Sequence, residues 1–527
     1  MLKNKRAIKL KYPDRPLFEP RYENVVEMFW DAVEVCGDQP AMIEGERSLT
    51  YREFGWCVAS LANLLIEAGA QGSRVGMCVP NSIESNIAVY AILAAGAQVV
   101  LLNPLYTPAE LGPLLKDAQP EVMIFAEGGN KGFKALGKDV NSIATIIFGQ
   151  GKCSFDALCD AGAKPPSVRI GPESKATLHF TGGTTGLPKS LDRDHRGLMQ
   201  CVHAMHWGWP TSIGEEVWLN VAPITHIWGF AMGCMNPVYD QSSLVIIPRY
   251  NPEVVLGLLE RHKVTVFSGG PSAIYAGLLA VPYIDSADLD DLRVCPGGGS
   301  TFLQETHRSW ERVTATPIIE AYGMTEAGPI AINPLNGGHR YGTVGYVYPD
   351  IELEIVSAID PERPVPIGES GEIRLRGPRV INTYRNNDES RADGWLYTGD
   401  VGRLDEDGFL TLVDRKKNML IVGGFNVYPR EIEELLVTHS GIVEAAVIGI
   451  PDERKGERPV ACVVPLSDVS LTVEEILEFC AENLVDYKRP IAVYFLGSIP
   501  KTSANKVCNK TLSQIISNWP EESGYRE

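Results

Sequence analysis

The sequence has little that would place it in or across a membrane. The longest apolar run, Ile87 to Leu102, is shorter than the roughly 20 residues that a membrane-spanning helix needs. Gly96 interrupts this run, so we predict a buried helix up to Ala95 and then a strand over Gln98 to Leu102. The basic start, Met1 to Arg6, has no apolar stretch after it of the kind that a secretory signal contains. We therefore expect no integral membrane segment and a cytoplasmic protein.

Paired cysteines and a net positive charge are also missing. The 11 cysteines include no Cys-x-x-Cys pair and no Cys/His spacing of a zinc site, so we expect reduced thiols. The formal net charge of −18 argues against nucleic acid or an anionic membrane as the main partner. It does not exclude an anionic nucleotide, because lysines around one site decide that binding locally. The 527 residues, 44% of them hydrophobic, allow two or more ordinary globular domains.

What the chain does contain is an alternation of helix and strand patterns. Apolar residues at helical spacing occur over Val25 to Val35 and Tyr51 to Ala68, and a short strand pattern follows at Arg74 to Pro80. Further strand patterns lie at Val122 to Phe125 and Ser142 to Phe148. This order predicts βαβ units and a largely parallel α/β sheet. In such sheets ligands bind at the carboxyl ends of the strands.

One glycine-rich stretch follows a strand pattern and has the composition of a phosphate site. It consists of Thr181-Gly182-Gly183-Thr184-Thr185-Gly186-Leu187-Pro188-Lys189-Ser190. Three glycines in six residues let the backbone turn tightly and bring several N–H groups to one point. Threonine hydroxyls and the Lys189 ammonium add donors for a polyphosphate. A merely flexible turn does not need this mixture, and Pro188 before Lys189 departs from the ordinary P-loop pattern.

At these residues the chain resembles the acyl-activating, AMP-forming superfamily, which includes acyl-CoA synthetases, peptide-synthetase adenylation domains and firefly luciferases. The resemblance covers nearly the whole chain and favours the acyl-CoA ligase branch. It implies an α/β fold with a large N-terminal domain of two αβα sheets plus a small β-barrel subdomain. A small mobile α+β C-terminal domain would complete the fold. The expected domains are an N-terminal AMP-binding domain at 1–416 and a mobile domain at 417–527.

The resemblance also implies the residues around the base and the phosphates. The turn with Gly298, Gly299 and Ser300 would pack on the adenine, because glycine lets a flat base approach the main chain. A second motif is Glu320-Ala321-Tyr322-Gly323-Met324-Thr325-Glu326. In the superfamily its tyrosine stacks on the adenine, its threonine bonds the α-phosphate and its last glutamate holds Mg²⁺. Thr181 would be the hydroxyl partner of Glu326 at that metal.

Further motifs imply a ribose site and a moving lysine. Asp400 would accept both ribose hydroxyl protons, and Arg415 would reach the ribose or a phosphate. Lys417 occupies the hinge position of the superfamily. The small domain opens with Gly423 and Gly424, the second of which lines the pantetheine tunnel in CoA-using members. Lys506 matches the lysine that enters the site for adenylation.

The motif Ala222-Pro223-Ile224-Thr225-His226-Ile227-Trp228-Gly229-Phe230 implies an acyl pocket. Its histidine would lie beside the acyl carboxylate. Ile227, Trp228 and Phe230, with Ser268 and Gly269 further along the chain, would form the pocket wall. Core packing explains the three apolar side chains about equally well. His195 is expected to be structural rather than to contact a ligand.

Together these motifs imply an ATP-dependent carboxylate–CoA ligase that uses ATP, Mg²⁺ and coenzyme A. An acid would react with ATP to give acyl-AMP and pyrophosphate, and CoA would then take the acyl group, with Lys506, Glu326, His226 and Thr181 as catalytic residues. No aspartate for a substrate amine stands out in the pocket stretch, so we expect an apolar acid, fatty or aromatic. The alternatives are a ligase that loads a separate carrier protein, a luciferase-like oxygenase and a nucleotide sensor. Nucleic acid is not an expected partner, and a homodimer is allowed.

Overall fold

In the computed structural model the chain divides into two units. The described residues are 17, 19–137, 143–160, 162–181, 189–209, 211–300, 302, 304–334, 338–381, 383–385, 394–423, 425–452, 454–466, 469–501 and 507–519. The first unit takes the chain up to residue 353, with 375–396 and 407–409. The second takes 354–374, 397–406 and the chain from 410 onward. The domain boundary predicted between residues 416 and 417 stays a prediction.

Helices and strands alternate along the described chain. The α-helices are α1 (Val25–Cys36), α2 (Tyr51–Glu67), α3 (Ile83–Ala94), α4 (Pro108–Ala118), α5 (Lys131–Lys134), α6 (Phe155–Asp160), α7 (His195–Gly208), α8 (Ile227–Phe230), α9 (Asn236–Tyr239), α10 (Pro252–Arg261), α11 (Ser272–Leu279), α12 (Gln304–Thr314), α13 (Pro429–Leu436), α14 (Val473–Asn483) and α15 (Asn509–Ser517). The strands are β1 (Pro40–Glu44), β2 (Arg47–Thr50), β3 (Arg74–Cys78), β4 (Gln98–Leu101), β5 (Val122–Phe125), β6 (Ala144–Ile147), β7 (Lys175–Thr181), β8 (Lys189–Asp194), β9 (Val217–Asn220), β10 (Ser243–Ile246), β11 (Val266–Ser268), β12 (Cys295–Gly298), β13 (Ile318–Met324), β14 (Gly328–Ile332), β15 (Tyr346–Val347), β16 (Glu352–Val356), β17 (Gly371–Arg376), β18 (Leu396–Leu404), β19 (Leu410–Arg415), β20 (Leu420–Val422), β21 (Phe425–Val427), β22 (Ile442–Asp452), β23 (Gly456–Pro465) and β24 (Val493–Phe495).

The first unit contains two mainly parallel sheets, which confirms the predicted α/β class. The six-stranded sheet has the order β6-β5-β3-β4-β7-β8, and β8 joins it antiparallel to β7. The five-stranded sheet has the order β11-β9-β10-β1-β2, with β2 antiparallel to β1. A third sheet, β12-β13-β14-β15, begins with the parallel pair β12 and β13. These sheets bring the carboxyl ends of β7, β12 and β13 into one unit.

The long apolar run divides as predicted. Ser82 and Ser85 form a reciprocal cap at the start of α3, and α3 ends at Ala94. Gly96 has a φ of +72°, which glycine adopts without strain, and it turns the chain into β4. The helix is buried along nearly its whole length, which explains why its sequence is apolar on every side. In the part of the chain that the structure describes, no helix is long and apolar enough to cross a bilayer.

Within the described residues, the second unit contains two sheets. One is the four-stranded sheet β16-β17-β18-β19, most of which lies in this unit. The resemblance implies a small β-barrel as part of the N-terminal domain instead. The other sheet has the order β21-β20-β23-β22, with β24 parallel to β23. Helices α13 and α14 pack on one of its faces, against residues such as Val447 and Val463. Helix α15 packs on the other face, against Ala446 and Ile448, as the strand alternation requires.

Candidate active site

The two ends of the glycine-rich stretch are paired at the edge of the six-stranded sheet. Thr181 is the last residue of β7 and lies opposite Lys189, the first residue of β8. The Thr181 hydroxyl donates to the Lys189 carbonyl oxygen over 3.3 Å. The predicted phosphate-binding residues between them lie outside the described residues: Gly182, Gly183, Thr184, Thr185 and Gly186. The pairing holds the start and the end of this stretch together.

Thr325 and Glu326 lie in the tight turn between β13 and β14. Met324 pairs with Gly328 across the turn, and the Ala327 N–H donates to the Met324 carbonyl over 3.2 Å. Gly328 has a φ of +66°, which allows the turn to close. A Cβ at Gly323 would lie 2.6 Å from the Gly328 carbonyl oxygen, so the motif needs glycine there. The turn leaves Glu326 only 6% exposed.

Tyr384 connects this turn to Lys189. Its hydroxyl donates to Glu326 Oε1 over 2.8 Å, and the Lys189 Nζ lies 4.8 Å from its ring centroid. A cation over an aromatic face is attracted by the ring electrons. Tyr384 thus contacts Glu326, a predicted metal ligand, through its hydroxyl, and Lys189, a predicted phosphate-binding residue, through its ring. Its sequence context had suggested no role.

Arg193, on β8, is a second residue that sequence reasoning missed. It is 2% exposed, and its guanidinium donates to the Thr325 carbonyl over 2.9 Å and to the Arg379 carbonyl over 3.0 Å. The turn of Glu326 is therefore tied to the strand that follows the glycine-rich stretch. The signal in the sequence was the run of three charged residues Asp192-Arg193-Asp194 after the glycine-rich stretch.

The predicted adenine residues lie side by side on β12 and β13. Gly298 pairs with Ala321, and a Cβ at Gly298 would lie 2.7 Å from the Ala321 carbonyl oxygen. Gly299 follows with a φ of +81°, and an added Cβ would meet nothing within 4 Å. The Ser300 hydroxyl accepts a hydrogen bond from the Ser272 N–H over 3.1 Å. Tyr322, the next residue after Ala321 on β13, is buried, with 7% of its surface exposed.

Glu320 has a different environment from the rest of its motif. It is 5% exposed, and its Oε2 lies 3.3 Å from Nε2 of the buried His307 on α12. Its main-chain carbonyl accepts from the Asn333 N–H over 3.0 Å. These contacts give Glu320 a role in packing α12 on β13.

His226 lies at the start of α8, and its loop is held by two asparagines. The Asn81 side chain donates to the Ala222 carbonyl over 3.0 Å and accepts from the Ile224 N–H over 2.9 Å. The Asn220 amide also donates to Ala222, over 2.8 Å. The His226 Nδ1 accepts from the Trp228 N–H over 3.2 Å, which orients the ring by capping the helix.

Trp228 lies among the glycines of the predicted acyl pocket. Its indole N–H donates to the buried Ser268 hydroxyl over 3.0 Å. Added Cβ atoms at Gly270 and Gly298 would lie 3.2 Å and 3.0 Å from the indole. A Cβ at Gly269 would instead meet the Tyr275 ring at 2.6 Å. The indole is thus in contact with the turn predicted to carry the adenine.

Phe230, which follows Trp228 and the partly buried Ile227, is completely buried. It makes an edge-to-face contact with His179 on β7, with ring centroids 5.5 Å apart. Burial, with the charges of Arg193 and His226, lowers the pKa of His179 to about 3, so its imidazole is neutral at pH 7. His179 was not predicted as a site residue. His195, predicted to be structural, accepts the Val25 N–H over 3.3 Å.

In the second unit Asp400 and Arg415 form an ion pair. They lie opposite each other on β18 and β19, with Arg415 Nε 2.7 Å from Asp400 Oδ1. The Asp400 N–H donates to the Thr398 hydroxyl over 3.0 Å, and that hydroxyl donates to the Ile373 carbonyl over 2.9 Å. The two predicted ribose ligands are therefore next to each other, with Asp400 on a fixed backbone.

The predicted hinge lies directly after β19 in the chain. Lys417 is exposed in a turn of 3₁₀ helix, Lys416–Asn418. The Asp414 carboxylate accepts from the Asn418 amide over 3.0 Å and from the Arg430 N–H, at the start of α13, over 3.1 Å. Gly423 has a φ of +59°, and its N–H donates to the Lys455 carbonyl over 2.7 Å. Gly424 lies outside the described residues.

The segment that carries Lys506 begins and ends at a β-bridge. Lys501 pairs antiparallel with Val507, and the Cys508 N–H donates to the Pro500 carbonyl over 2.8 Å. The Lys501 Nζ lies 2.8 Å from Glu444 Oε1. Lys506 itself lies outside the described residues.

Comparisons with known proteins agree with the order of these motifs. The model of the AMP-binding enzyme family matches residues 29–385, and that of the AMP-binding enzyme C-terminal domain matches residues 431–506. A long-chain-fatty-acid–CoA ligase of Bacillus subtilis (strain 168) is 32% identical over 515 residues, covering 90% of this chain and 91% of its own.

Two solved structures have the same fold. ATP-bound MatB from Rhodopseudomonas palustris is 27% identical, with a TM-score of 0.87 over 94% of this chain and 99% of that one. The anthranilate CoA ligase AuaEII in complex with anthranoyl-AMP is also 27% identical, with a TM-score of 0.84 over 96% of this chain and 98% of that one.

Proposed function

The chain belongs to the AMP-binding enzyme family and is an AMP-forming acyl-CoA synthetase, and we propose that it joins an apolar carboxylic acid, fatty or aromatic, to CoA. Enzymes of this class use ATP and CoA as substrates. Among the similar proteins, one is named for long-chain fatty acids and another for anthranilate, an aromatic acid.

The observation that supports the proposal most strongly is the contact of Lys189 and Glu326 with one side chain, Tyr384. A cation and a carboxylate held close together suit a triphosphate with its Mg²⁺. Glu326 fits the metal because a carboxylate oxygen is the kind of ligand that Mg²⁺ takes, with phosphate oxygens and water completing the set. We propose that Glu326 and the Thr181 hydroxyl hold Mg²⁺, which supplies positive charge to the phosphate oxygens.

In the first half-reaction a carboxylate oxygen of the acid attacks the α-phosphorus of ATP. The bond from that phosphorus to the bridging oxygen breaks, and pyrophosphate leaves with the electron pair. The acid itself is the nucleophile, so the protein contributes positioning and charge stabilisation. We propose that His226 contacts the acid carboxylate, Thr325 the α-phosphate and Lys189 the leaving pyrophosphate. Gly298, Gly299 and Tyr322 would hold the adenine, and Asp400 and Arg415 the ribose.

In the second half-reaction the CoA thiol attacks the acyl carbon and AMP leaves. We propose that residues 417–527 rotate about Lys417 between the two steps. This motion would withdraw Lys506 and present Gly424 to the pantetheine arm. The bridge between Lys501 and Val507 supports the role of Lys506, because it fixes the chain directly after this lysine.

An apolar acid is supported by the surroundings of Trp228. Its indole N–H is already bonded to Ser268, and its ring lies on Gly270 and Gly298, so it offers the substrate an apolar surface. Phe230, two residues after Trp228, packs against the neutral His179. A pocket of this kind suits an alkyl chain or an aromatic ring better than a charged group.

The test is a pyrophosphate-release assay with ATP and Mg²⁺ over fatty acids of increasing length, aryl acids and short polar acids. We expect release with an apolar acid, and acyl-CoA detected by mass spectrometry when CoA is added. Thioester formation on an added carrier protein but not on CoA would favour the carrier-loading alternative. Release without any thioester would contradict a CoA ligase, and no release with any acid would contradict adenylation.

A further inference from the structure

Two cysteines that the proposed reaction does not use lie side by side in the first unit. The Sγ atoms of Cys57, on α2, and Cys159, on α6, are 2.6 Å apart. That distance is about half an ångström longer than a disulfide bond. The two residues are 102 positions apart in the sequence, so the fold and not local chain geometry brings the sulfur atoms together.

The two helical segments are held in this position by further contacts. Ser60 lies one turn after Cys57 on the same face of α2, and its hydroxyl donates to the Leu158 carbonyl over 2.9 Å. Another turn along, the Asn63 amide donates to the Lys164 carbonyl over 3.2 Å. Leu158, next to Cys159, is 1% exposed. The approach of the two sulfur atoms is therefore built into the packing of α6 on α2.

The two thiols differ in access to solvent. Cys57 is completely buried, whereas Cys159 is half-buried. A soluble oxidant therefore meets Cys159 first. The hydrogen bond with Cys159 and burial both raise the pKa of the Cys57 thiol, which stays protonated at neutral pH until Cys159 is modified. This difference gives the pair an attacking and a resolving member.

We propose that Cys57 and Cys159 are a site of reversible oxidation, at which a disulfide forms and joins α2 to α6. With oxidised glutathione, the Cys159 thiolate attacks one glutathione sulfur, which forms a mixed disulfide and releases one glutathione thiolate. The Cys57 thiolate then attacks the Cys159 sulfur and releases the second glutathione. Two protein thiols are oxidised, one glutathione disulfide is reduced, and the two protons go to the released thiolates.

The test uses the full chain, incubated with oxidised glutathione or with dithiothreitol. Each sample is denatured, alkylated without reduction, digested and analysed by mass spectrometry. We expect the oxidised sample to contain the Cys57 peptide joined to the Cys159 peptide, with alkylation lost at both residues. Dithiothreitol added after oxidation should restore alkylation at both.

Cys153 provides a matched control, because it is also half-buried and lies six residues before Cys159 in the chain. Cys153→Ser should keep the joined peptides, whereas Cys159→Ser should abolish them and leave Cys57 open to alkylation after denaturation. Peptides joined through Cys153 instead, or full alkylation of Cys57 and Cys159 after oxidation, would overturn the proposal.

Discussion

The two units hold their predicted functional side chains in different ways. In the first, Glu326 is 6% exposed and is fixed by Tyr384, while the buried Arg193 fixes its turn. In the second, the Arg415 side chain is 51% exposed and pairs with Asp400, and Lys417 is exposed. A buried, fixed group can recognise the same phosphate geometry in every step, whereas an exposed cation can be delivered and withdrawn. We therefore expect the first unit to bind the phosphates throughout, and the part of the second unit after Lys417 to change the chemistry.

The strongest test of this contrast is Lys506→Ala. It removes the cation that the second unit is proposed to bring to the phosphates during adenylation. We expect acyl-AMP formation to fall by about 10²–10³-fold, as for other groups that stabilise charge in a transition state. Thioester formation from supplied acyl-AMP should stay within about threefold of the unchanged enzyme, since no phosphoryl transfer occurs in that step. Single-turnover assays measure the two half-reactions separately.

Lys501→Ala is the matched control, because Lys501 lies five residues before Lys506, forms the bridge with Val507 and pairs with Glu444. It should leave both half-reactions nearly unchanged. An equal fall in both half-reactions with Lys506→Ala would contradict the delivery of a cation for one step only.

The second unit should also lose stability as the pH rises from about 4.5 to about 7. Burial raises the pKa of Glu433, on α13, from 4.5 to about 7, and the Val447 N–H that it accepts offsets only part of this effect. Between these two values the folded protein binds more protons than the unfolded chain, so the free energy of unfolding falls as the pH increases. The loss is at most about 3 kcal/mol. Glu433→Gln should remove this pH dependence in urea unfolding monitored at the second unit.

Glu434→Gln is the matched control for this measurement, because Glu434 is the exposed neighbour that pairs with Arg430. It should keep the slope against pH. A Glu433→Gln profile as steep as that of the unchanged protein would show that another group is responsible.

In the first unit, Trp228→Ala should alter which acid is accepted. Removing the indole from Gly270 and Gly298 enlarges the proposed pocket, so longer acids should gain relative to shorter ones. We expect the ratio of their kcat/KM values to shift by about 10–100-fold. Trp56→Ala, at an exposed tryptophan on α2, should leave that ratio unchanged. If Trp228→Ala leaves this ratio of kcat/KM values unchanged, the acid does not bind next to Trp228.

Local sequence patterns predicted the helices and strands. The side chains that hold the candidate site in place depend on tertiary packing instead. The division of the apolar run at Gly96 was predictable because a helix and a strand each need their own periodicity. Arg193 and Tyr384 were not, since their partners lie 132 and 58 residues away. Period-two alternation at Ile351 to Val356 and at Glu372 to Arg376 predicts β16 and β17, but it carries no information on closure into a barrel. The glycine-rich motifs predicted which strand ends would carry the functional residues. They did not predict which side chains would hold those strand ends in place.

Tyr384→Phe tests the fixed character of the first unit with a single atom. It keeps the ring beneath Lys189 and removes the hydroxyl that donates to Glu326. Groups that orient a metal ligand contribute about 10–100-fold to metal affinity, so the Mg²⁺ concentration for half-maximal adenylation should rise by about 10-fold. Tyr250→Phe, which loses a hydrogen bond to the Ile274 carbonyl, should not change it. An unchanged Mg²⁺ requirement in Tyr384→Phe would contradict the role of Glu326 as a metal ligand.

Asp414→Ala should have the smallest effect of these substitutions. It should lower the stability of the protein rather than the rate of the reaction. In the structure the Asp414 carboxylate accepts from the Asn418 amide and from the Arg430 N–H. These bonds fix the chain next to the predicted hinge. Their loss should cost about 1–2 kcal/mol in urea unfolding of the second unit. Asp486→Ala, at an exposed pair with Lys455, should cost less than about 0.5 kcal/mol. Equal losses of stability in the two variants would mean that Asp414 contributes no more than an exposed carboxylate. Another residue would then have to fix the hinge at the start of α13.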